Sequence, residues 1–354
     1  MIPYILRRLL ILPVIMLLVT LVLFFLLHQM PPERRAEIHM PELRPNTTEA
    51  QRAQIVQEII ERYGLDDPFP VQYVTWLRGL AVGEWGFSPS WNQPVLEGLV
   101  QRTPASIELA LAATIPSVIL ALALGSLASQ HYGRLPDHVV RTAAFVGWAF
   151  PSFILGLMLM NVLYAWLRWF PPERLSVWAQ SFVEGETFRT YTGLYTVDAL
   201  LNGNLSIFWD AARHLVLPAF TLAVTQWALL TRITRSSLLD VLRQDYITTA
   251  RAKGVPEQRV INLHARRNAV LPVISTGGVA VSLLISGVVV IEAVFSFDGI
   301  GRAAVEAILA ADTPAIVGFT LFTCVVTVLT SLIADVLYAF VDPRTRLFQE
   351  NNRQ

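Results

Sequence analysis

Six apolar stretches recur along this chain, at about residues 9–28, 106–129, 142–166, 214–231, 272–291 and 314–340. Each is long enough, or nearly so, to cross a bilayer as a helix. The intervals between them differ in length and in pattern. In the longest, residues 30–103, Ile55, Val56, Ile59, Ile60 and Tyr63 recur at helical spacing. Thr48 stands where a cap is wanted and Gly64 where the helix should stop. A second helix is predicted from near Pro70, carrying Val74, Leu77 and Leu80, and a third from Pro94, with Val95, Leu96, Leu99 and Val100 on one face. Thr103 and Pro104 then read as the cap and first turn of the second span. Pro151 interrupts the third span and predicts a kink. A further polar interval, residues 167–212, has Trp166, Trp169 and Phe170 at its edge, as in an interfacial aromatic belt.

The interval 232–271 is the most basic, and its order of residues predicts two short helices hinged at a glycine. Asp245 caps the first, and Tyr246, Ile247 and Ala250 share its apolar face. Gly254 sits where a left-handed C-terminal cap belongs. Pro256 fits the first turn of the second helix, and Glu257 favours its positive end. Val260, Ile261 and Leu263 then oppose Arg259, Arg266 and Arg267. Such a hairpin is built to dock.

Composition assigns the class. With 54% hydrophobic and 15% charged residues in 354, the chain is too apolar for an ordinary soluble domain. The prediction is an all-α polytopic membrane protein of six transmembrane helices, with no nucleic-acid partner for a chain of zero net charge. The first span is expected to stay uncleaved, since its apolar run is long for a signal peptide and no small-residue cleavage site follows. Segments 1–8, 130–141, 232–271 and 341–354 hold about fifteen of the 27 basic residues but only about six of the 27 acids, which predicts cytoplasmic N- and C-termini. The expected organisation is an N-terminal span (1–29), an extracytoplasmic helical region (30–103), a core of five spans (104–346) containing the cytoplasmic loop 232–271, and a tail (347–354).

Catalytic chemistry is missing. Lys253 is the only lysine and precedes Gly254, so no phosphate-binding G-x-x-x-x-G-K-[ST] loop exists. His28, His39, His131, His138, His214 and His264 form no close metal pair, and Cys324 is alone. No catalytic or metal residue is predicted. Ser282 and Ser286 lie within a span without a base beside them, which disfavours a membrane-embedded hydrolase. Asp335 is the acidic residue deepest within a predicted span, with Arg232 or Arg235 as plausible partners. One such residue and no internal repeat disfavour an ion-coupled secondary transporter.

The run YITTARAKGV followed by HARRNAVLPV resembles the cytoplasmic "EAA" loop of ABC importer permeases of the dipeptide, oligopeptide and nickel branch. Thr248, Thr249 and Ala250 take the Glu-Ala-Ala positions and Gly254 the glycine. His264, Arg266 and Arg267 replace the usual downstream residues, and a Leu-Pro pair appears only at Leu271 and Pro272. The segments YGLDDPFPVQYVTWLRGL, GEWGFS and PVLEGLVQRTPASIELALA are similar to the N-terminal region of the same branch. The resemblance implies a permease subunit forming half of a pathway for peptides or similar solutes in a prokaryotic inner membrane. It implies as partners a second permease, with a heterodimer expected, two ATPase subunits that bind ATP and Mg, an extracytoplasmic substrate-binding protein, and membrane lipid. No cofactor is expected in this chain. Asp245, Tyr246, Ile247, Ala250, Arg251, Ala252, Gly254 and His264 become the candidate contacts to the ATPase.

Two further segments carry predictions. Thr320, Thr323, Thr327, Thr330, Ser331 and Asp335 fall within roughly 140° of one face of the sixth span at ~100° per residue, a stripe expected to face the pathway or the second permease. The segment IEAVFSFDGIGRAAVEAI resembles a family segment usually written with proline before the glycine, a place taken here by Asp298. Gly299 and Gly301 predict a tight return toward the membrane, with Asp298, Arg302 or Glu306 closing an outer gate.

Overall fold

The computed structural model describes residues 2–40 and 48–341, with side chains described except at 2–9, 37, 271, 275–286, 334, 335 and 337–341. The chain is mostly helical. In order it forms α1 (Ile2–His28), α2 (Pro32–Ala36), a 3-10 turn (Glu37–His39), α3 (Glu49–Tyr63), α4 (Phe69–Ala81), β1 (Phe87–Ser88), β2 (Gln93–Pro94), α5 (Val95–Gln130), α6 (Leu135–Ala149) and α7 (Ser152–Leu159), which runs into a π-helical segment (Met160–Trp166). There follow α8 (Val177–Val183), α9 (Tyr195–Leu201), α10 (Leu205–Leu242), α11 (Asp245–Ala252), α12 (Glu257–Arg259), a second π-helical segment (Val260–Ala265), α13 (Arg266–Val294), α14 (Ile300–Leu309) and α15 (Thr313–Val341).

Among the described residues, four helical segments are long and apolar enough to cross a membrane: Leu10–His28, Val95–Gln130, Leu205–Leu242 and Thr313–Ile333. A fifth is added if α6 and the helix after it count as one span, bent by 98°. The bend sits where Pro151 was expected to kink a continuous helix, and it is a break. Phe150 and Pro151 take extended backbone, with ψ of 129° and 134°, because the residue before a proline is pushed out of the helical region. The predicted fifth span falls within α13.

Two other expectations are corrected. The third helix of the first polar interval and the second span are one helix, α5, which runs unbroken through Thr103 and Pro104. Thr103 caps nothing there, because its hydroxyl donates to Leu99 O one turn back at 2.7 Å. On α4, Val74 is exposed, and Gln72 and Trp76 turn inward with Leu77 and Leu80 half-buried beside them.

The chain divides into two compact units. One comprises Ile2–Ser106 and Asp298–Leu329. In it α3 begins with the predicted cap, Thr48 accepting from the Gln51 N–H while the Gln51 side chain returns to the Thr48 N–H. It ends at Gly64 with φ +59°. Ile59, Ile60 and Leu65 close a small core with Ala36, and Trp76 packs with Phe24, Leu27, Ile38, Val317 and Leu321. Asp312 fastens this unit. One carboxylate oxygen accepts the Ser88 and Ser90 hydroxyls, each at 2.6 Å, and the Ser90 N–H, and the other accepts the Ala315 N–H at the start of α15.

The other unit comprises Ile107–Phe297 and the chain from Thr330. Its centre is α10, which packs on α6, α7, α9 and α13. Two of its buried carboxylates are tied to arginines. Asp137, 1% exposed, receives Arg235 Nε at 2.6 Å and Nη2 at 2.8 Å, and Glu108 holds Arg174 at 2.8 Å together with the Thr196 N–H and hydroxyl. Both arrangements answer the cost of burying charge.

Candidate coupling hairpin

The first helix of the predicted hairpin is α11, and it begins one residue differently from the expectation. Gln244 is the N-cap, without a side-chain bond, and Asp245 occupies the first turn. There its charge still favours the positive helix end. At the other end the glycine behaves as predicted. Gly254 has φ +75°, its N–H donates to Arg251 O at 2.9 Å, and the Val255 N–H donates to Ala250 O at 3.2 Å. These are the two bonds of a Schellman motif.

Pro256 stands at the N-cap of α12, not inside its first turn, and Glu257 opens the helix. The second arm is not a separate short helix. From Glu257 the chain stays helical through the π segment into α13, so the arm is the beginning of the predicted fifth span. Glu257 also pairs with Arg251 across the turn, Nη2 to Oε1 at 2.6 Å and Nε to Oε2 at 3.0 Å. The bonded guanidinium holds the Glu257 carboxyl below its ordinary value, and the carboxylate in turn raises the pKa of Arg251.

The apolar residues close the hairpin on itself. Ile247 is fully buried among Leu238 of α10, Val260, Ala265 and Ala269, with Ala250 and Val255 packed at the edge. Ile247 and Ala250 were expected on a docking face and point inward, because the α10 end and the π segment offer an apolar seat at once. Leu263, expected with Val260 and Ile261, is 60% exposed. The outward surface carries Asp245, Tyr246, Arg251, Ala252, Lys253 and Gly254, with His264 half-buried. Tyr246 is held by its hydroxyl, which accepts from Asn268 Nδ2 at 2.8 Å.

The remaining predicted sites fare differently. Gly299 has extended backbone, φ −116° and ψ −176°, and Gly301 lies within α14, so neither makes the tight return that was expected. The interval between the last two spans is instead a helix whose Ala303 and Ala307 pack on Val95 and Leu99. Asp298 pairs with Arg102 at 3.5 Å, and Arg302 with Glu306 at 2.8 Å. On α15, Thr320, Thr323 and Thr327 are half-buried and donate to Ile316 O, Phe319 O and Thr323 O of their own helix. Thr330 is half-buried. The side chains of Asp335, Ser282 and Ser286, and the tail 347–354, lie outside the described residues. Arg235, one expected partner of Asp335, is occupied by Asp137, and Arg232 lies over the Trp148 ring at 5.8 Å.

Three fastenings escaped the sequence reading: Asp137 with Arg235, Glu108 with Arg174, and Asp312 with Ser88 and Ser90. Only the last left a local signal, since Asp312-Thr313-Pro314 has the composition of a helix start. The others join residues 98 and 66 positions apart.

Residues 117–347 match the family described as "Binding-protein-dependent transport system inner membrane component", and residues 1–110 match the corresponding N-terminal family. The chain is 38% identical over 345 residues to the oligopeptide transport system permease protein AppB of Bacillus subtilis, covering 97% of this chain and 99% of that protein. It is 38% identical over 291 residues to the probable D,D-dipeptide transport system permease protein DdpB of Escherichia coli, covering 82% and 84%. To the di/tripeptide transport system permease protein DppB of Pseudomonas aeruginosa it is 35% identical over 333 residues, covering 93% and 94%.

Proposed function

Given that this chain belongs to the binding-protein-dependent transport system inner membrane component family, we propose that it forms half of a peptide translocation pathway and couples to its ATPases through residues 245–266. It is a membrane subunit of an ABC importer and not an enzyme. In this reading six helices span the inner membrane with both termini in the cytoplasm. A second, different permease supplies the other half of the pathway, two ATPase subunits bind ATP and Mg, and an extracytoplasmic binding protein delivers the peptide. The peptide transport roles for which these relatives are named support peptides as the substrate class.

The observation that carries the coupling role is the way the hairpin is tied to two long helices. Ile247 is seated between the end of α10 and the start of α13, so a force on α11 reaches both helices without passing through a loose loop. Coupling is a free energy shared between sites, and a rigid link between them lets one bias the other. The exposed face of α11 and the turn at Gly254 supply the contact with the ATPase.

The test is Gly254→Val in a complex reconstituted from both permeases, both ATPases and the binding protein. A branched side chain at a left-handed position costs more than about 1 kcal/mol and redirects the turn. The expected result is a chain still inserted and paired with the second permease, with ATPase co-purification weakened and transport and binding-protein-stimulated hydrolysis abolished. Normal stimulation would remove Gly254 from coupling, and loss of the permease pair would make its part structural.

A further inference from the structure

A cavity of about 280 Å³ opens in the first unit, between the end of α1 and α4. That is near the small end of the range for ligand sites. Phe24, Leu27, Ile38, Leu65 and Trp76 give it a largely apolar wall. Polar groups line it as well, among them Arg35, Gln72, Arg78 and Glu84. Arg35 is only 8% exposed. Nη1 donates to Gln72 Oε1 and lies 3.2 Å from His28 Nδ1, and Nη2 donates to Leu65 O at 3.0 Å. Nε is buried with no partner. Among the residues with described side chains, no carboxylate pairs with Arg35. Burial lowers its pKa, and the charges of Asp66 and Glu33 partly offset this.

An arginine stays charged in a protein, and a buried charge without a counter-ion is costly. The guanidinium fork matches the planar geometry of a carboxylate better than that of any neutral acceptor. We propose that this cavity binds a small amphipathic carboxylate, its anionic head on Arg35 and its apolar body against Phe24 and Trp76. The same chemistry is offered by a soluble arylalkanoic acid and by a fatty acid carried in the bilayer. The inference does not depend on the coupling role of the hairpin.

The test uses the full chain in phosphatidylcholine nanodiscs with 3-phenylpropionate as the probe. Saturable binding of one equivalent is expected, with at least tenfold weaker binding of 3-phenylpropanol and phenethylamine, which keep the ring and lose the anion. Arg35→Gln is expected to abolish it. Thr75→Phe, at an exposed position of α4 that lines the cavity, is expected to abolish it too while leaving the melting temperature unchanged, and it decides the matter if Arg35→Gln does not fold. Displacement of the probe by oleate, with fatty acid co-purifying with wild type but not with Arg35→Gln, identifies the bilayer source, and failure of oleate to displace bound probe identifies the soluble one. No saturable binding, equal binding of the alcohol and amine, or undiminished binding by Arg35→Gln would overturn the proposal.

Discussion

Gly64 and Gly254 end their helices with the same pair of backbone bonds and with φ of +59° and +75°. In both, the residue after the glycine packs back on the helix it has just left, Leu65 near Ile60 and Val255 near Ala250. Their surroundings are opposite. A methyl group added at Gly64 would run into Asp67 Oδ2, whereas one added at Gly254 would meet nothing within 4 Å. The local motif is therefore the same device in two settings. At Gly64 it closes a packed lobe, and at Gly254 it presents an open turn. Among the described residues, nothing fills the space beside Gly254, which is what the proposed docking needs.

The largest expected effect tests whether the open turn rests on a rigid base. Ile247→Ala empties a fully buried site, where removal of this much side chain typically costs about 2–5 kcal/mol. Hydrogen exchange across residues 245–265 should accelerate sharply while exchange across 49–65 stays unchanged. Slow exchange in the variant would mean that the hairpin does not depend on its own core.

Next in size come the two glycines themselves. Gly64→Ala and Gly254→Ala each impose about 1 kcal/mol of backbone strain, and at Gly64 Asp67 must also move. Gly64→Ala should lower the protease resistance of the first unit more than Gly254→Ala lowers that of the hairpin. Stimulated ATPase activity should fall several-fold only for Gly254→Ala. Equal losses of activity would dissolve the distinction between a packed turn and a presented one.

A smaller contrast concerns pH. His39, half-buried and stacked on Tyr63 at 3.9 Å, has its pKa lowered to about 4 by burial. The folded lobe therefore resists protonation that the unfolded chain accepts. Its contribution is fully present above the ordinary histidine pKa of about 6.5 and is lost as pH falls toward 4. Protease resistance of residues 30–94 should drop between pH 7.5 and 5, and His39→Phe should flatten that dependence. An unchanged pH profile in the variant would assign the sensitivity to another group.

The smallest effect is expected at the Arg251–Glu257 pair, whose side chains are 41% and 56% exposed. Such a pair contributes no more than about 1 kcal/mol. The Glu257 pKa is lowered, so its contribution is present above the ordinary carboxylate pKa and fades as pH falls through the lower folded value. Glu257→Gln should leave transport within about twofold at neutral pH. A loss approaching that of Gly254→Val would make the pair part of the docking contact itself.

Local sequence determined the parts of this molecule whose causes lie within a few residues. Thr48 with Gln51, the left-handed stops at Gly64 and Gly254, and the break at Pro151 all follow from backbone geometry that one or two side chains impose. Four of the six apolar runs fall on the helices that are long and apolar enough to cross a membrane among the described residues, because a bilayer demands about twenty such residues whatever surrounds them. The family was legible too, through the segment from Tyr246 to Val273.

Tertiary structure decided which face each helix turned inward and where helices merged. Tyr246, Ile247 and Ala250 form one apolar stripe in the sequence, but only the seat made by Leu238, Val260 and Ala265 assigned Ile247 to the interior and left Tyr246 half outside. Periodicity marks a face without naming its partner. The junction at Thr103 and Pro104 has the composition of a helix start, yet the chain runs on as one helix, since a local signal yields when the helix already formed before it is favoured by its packing. The pairs Asp137–Arg235 and Glu108–Arg174 were beyond local reading for the same reason. A buried charge is stabilised by whatever the fold brings within about 3 Å of it, and that distance is set by the packing of whole helices.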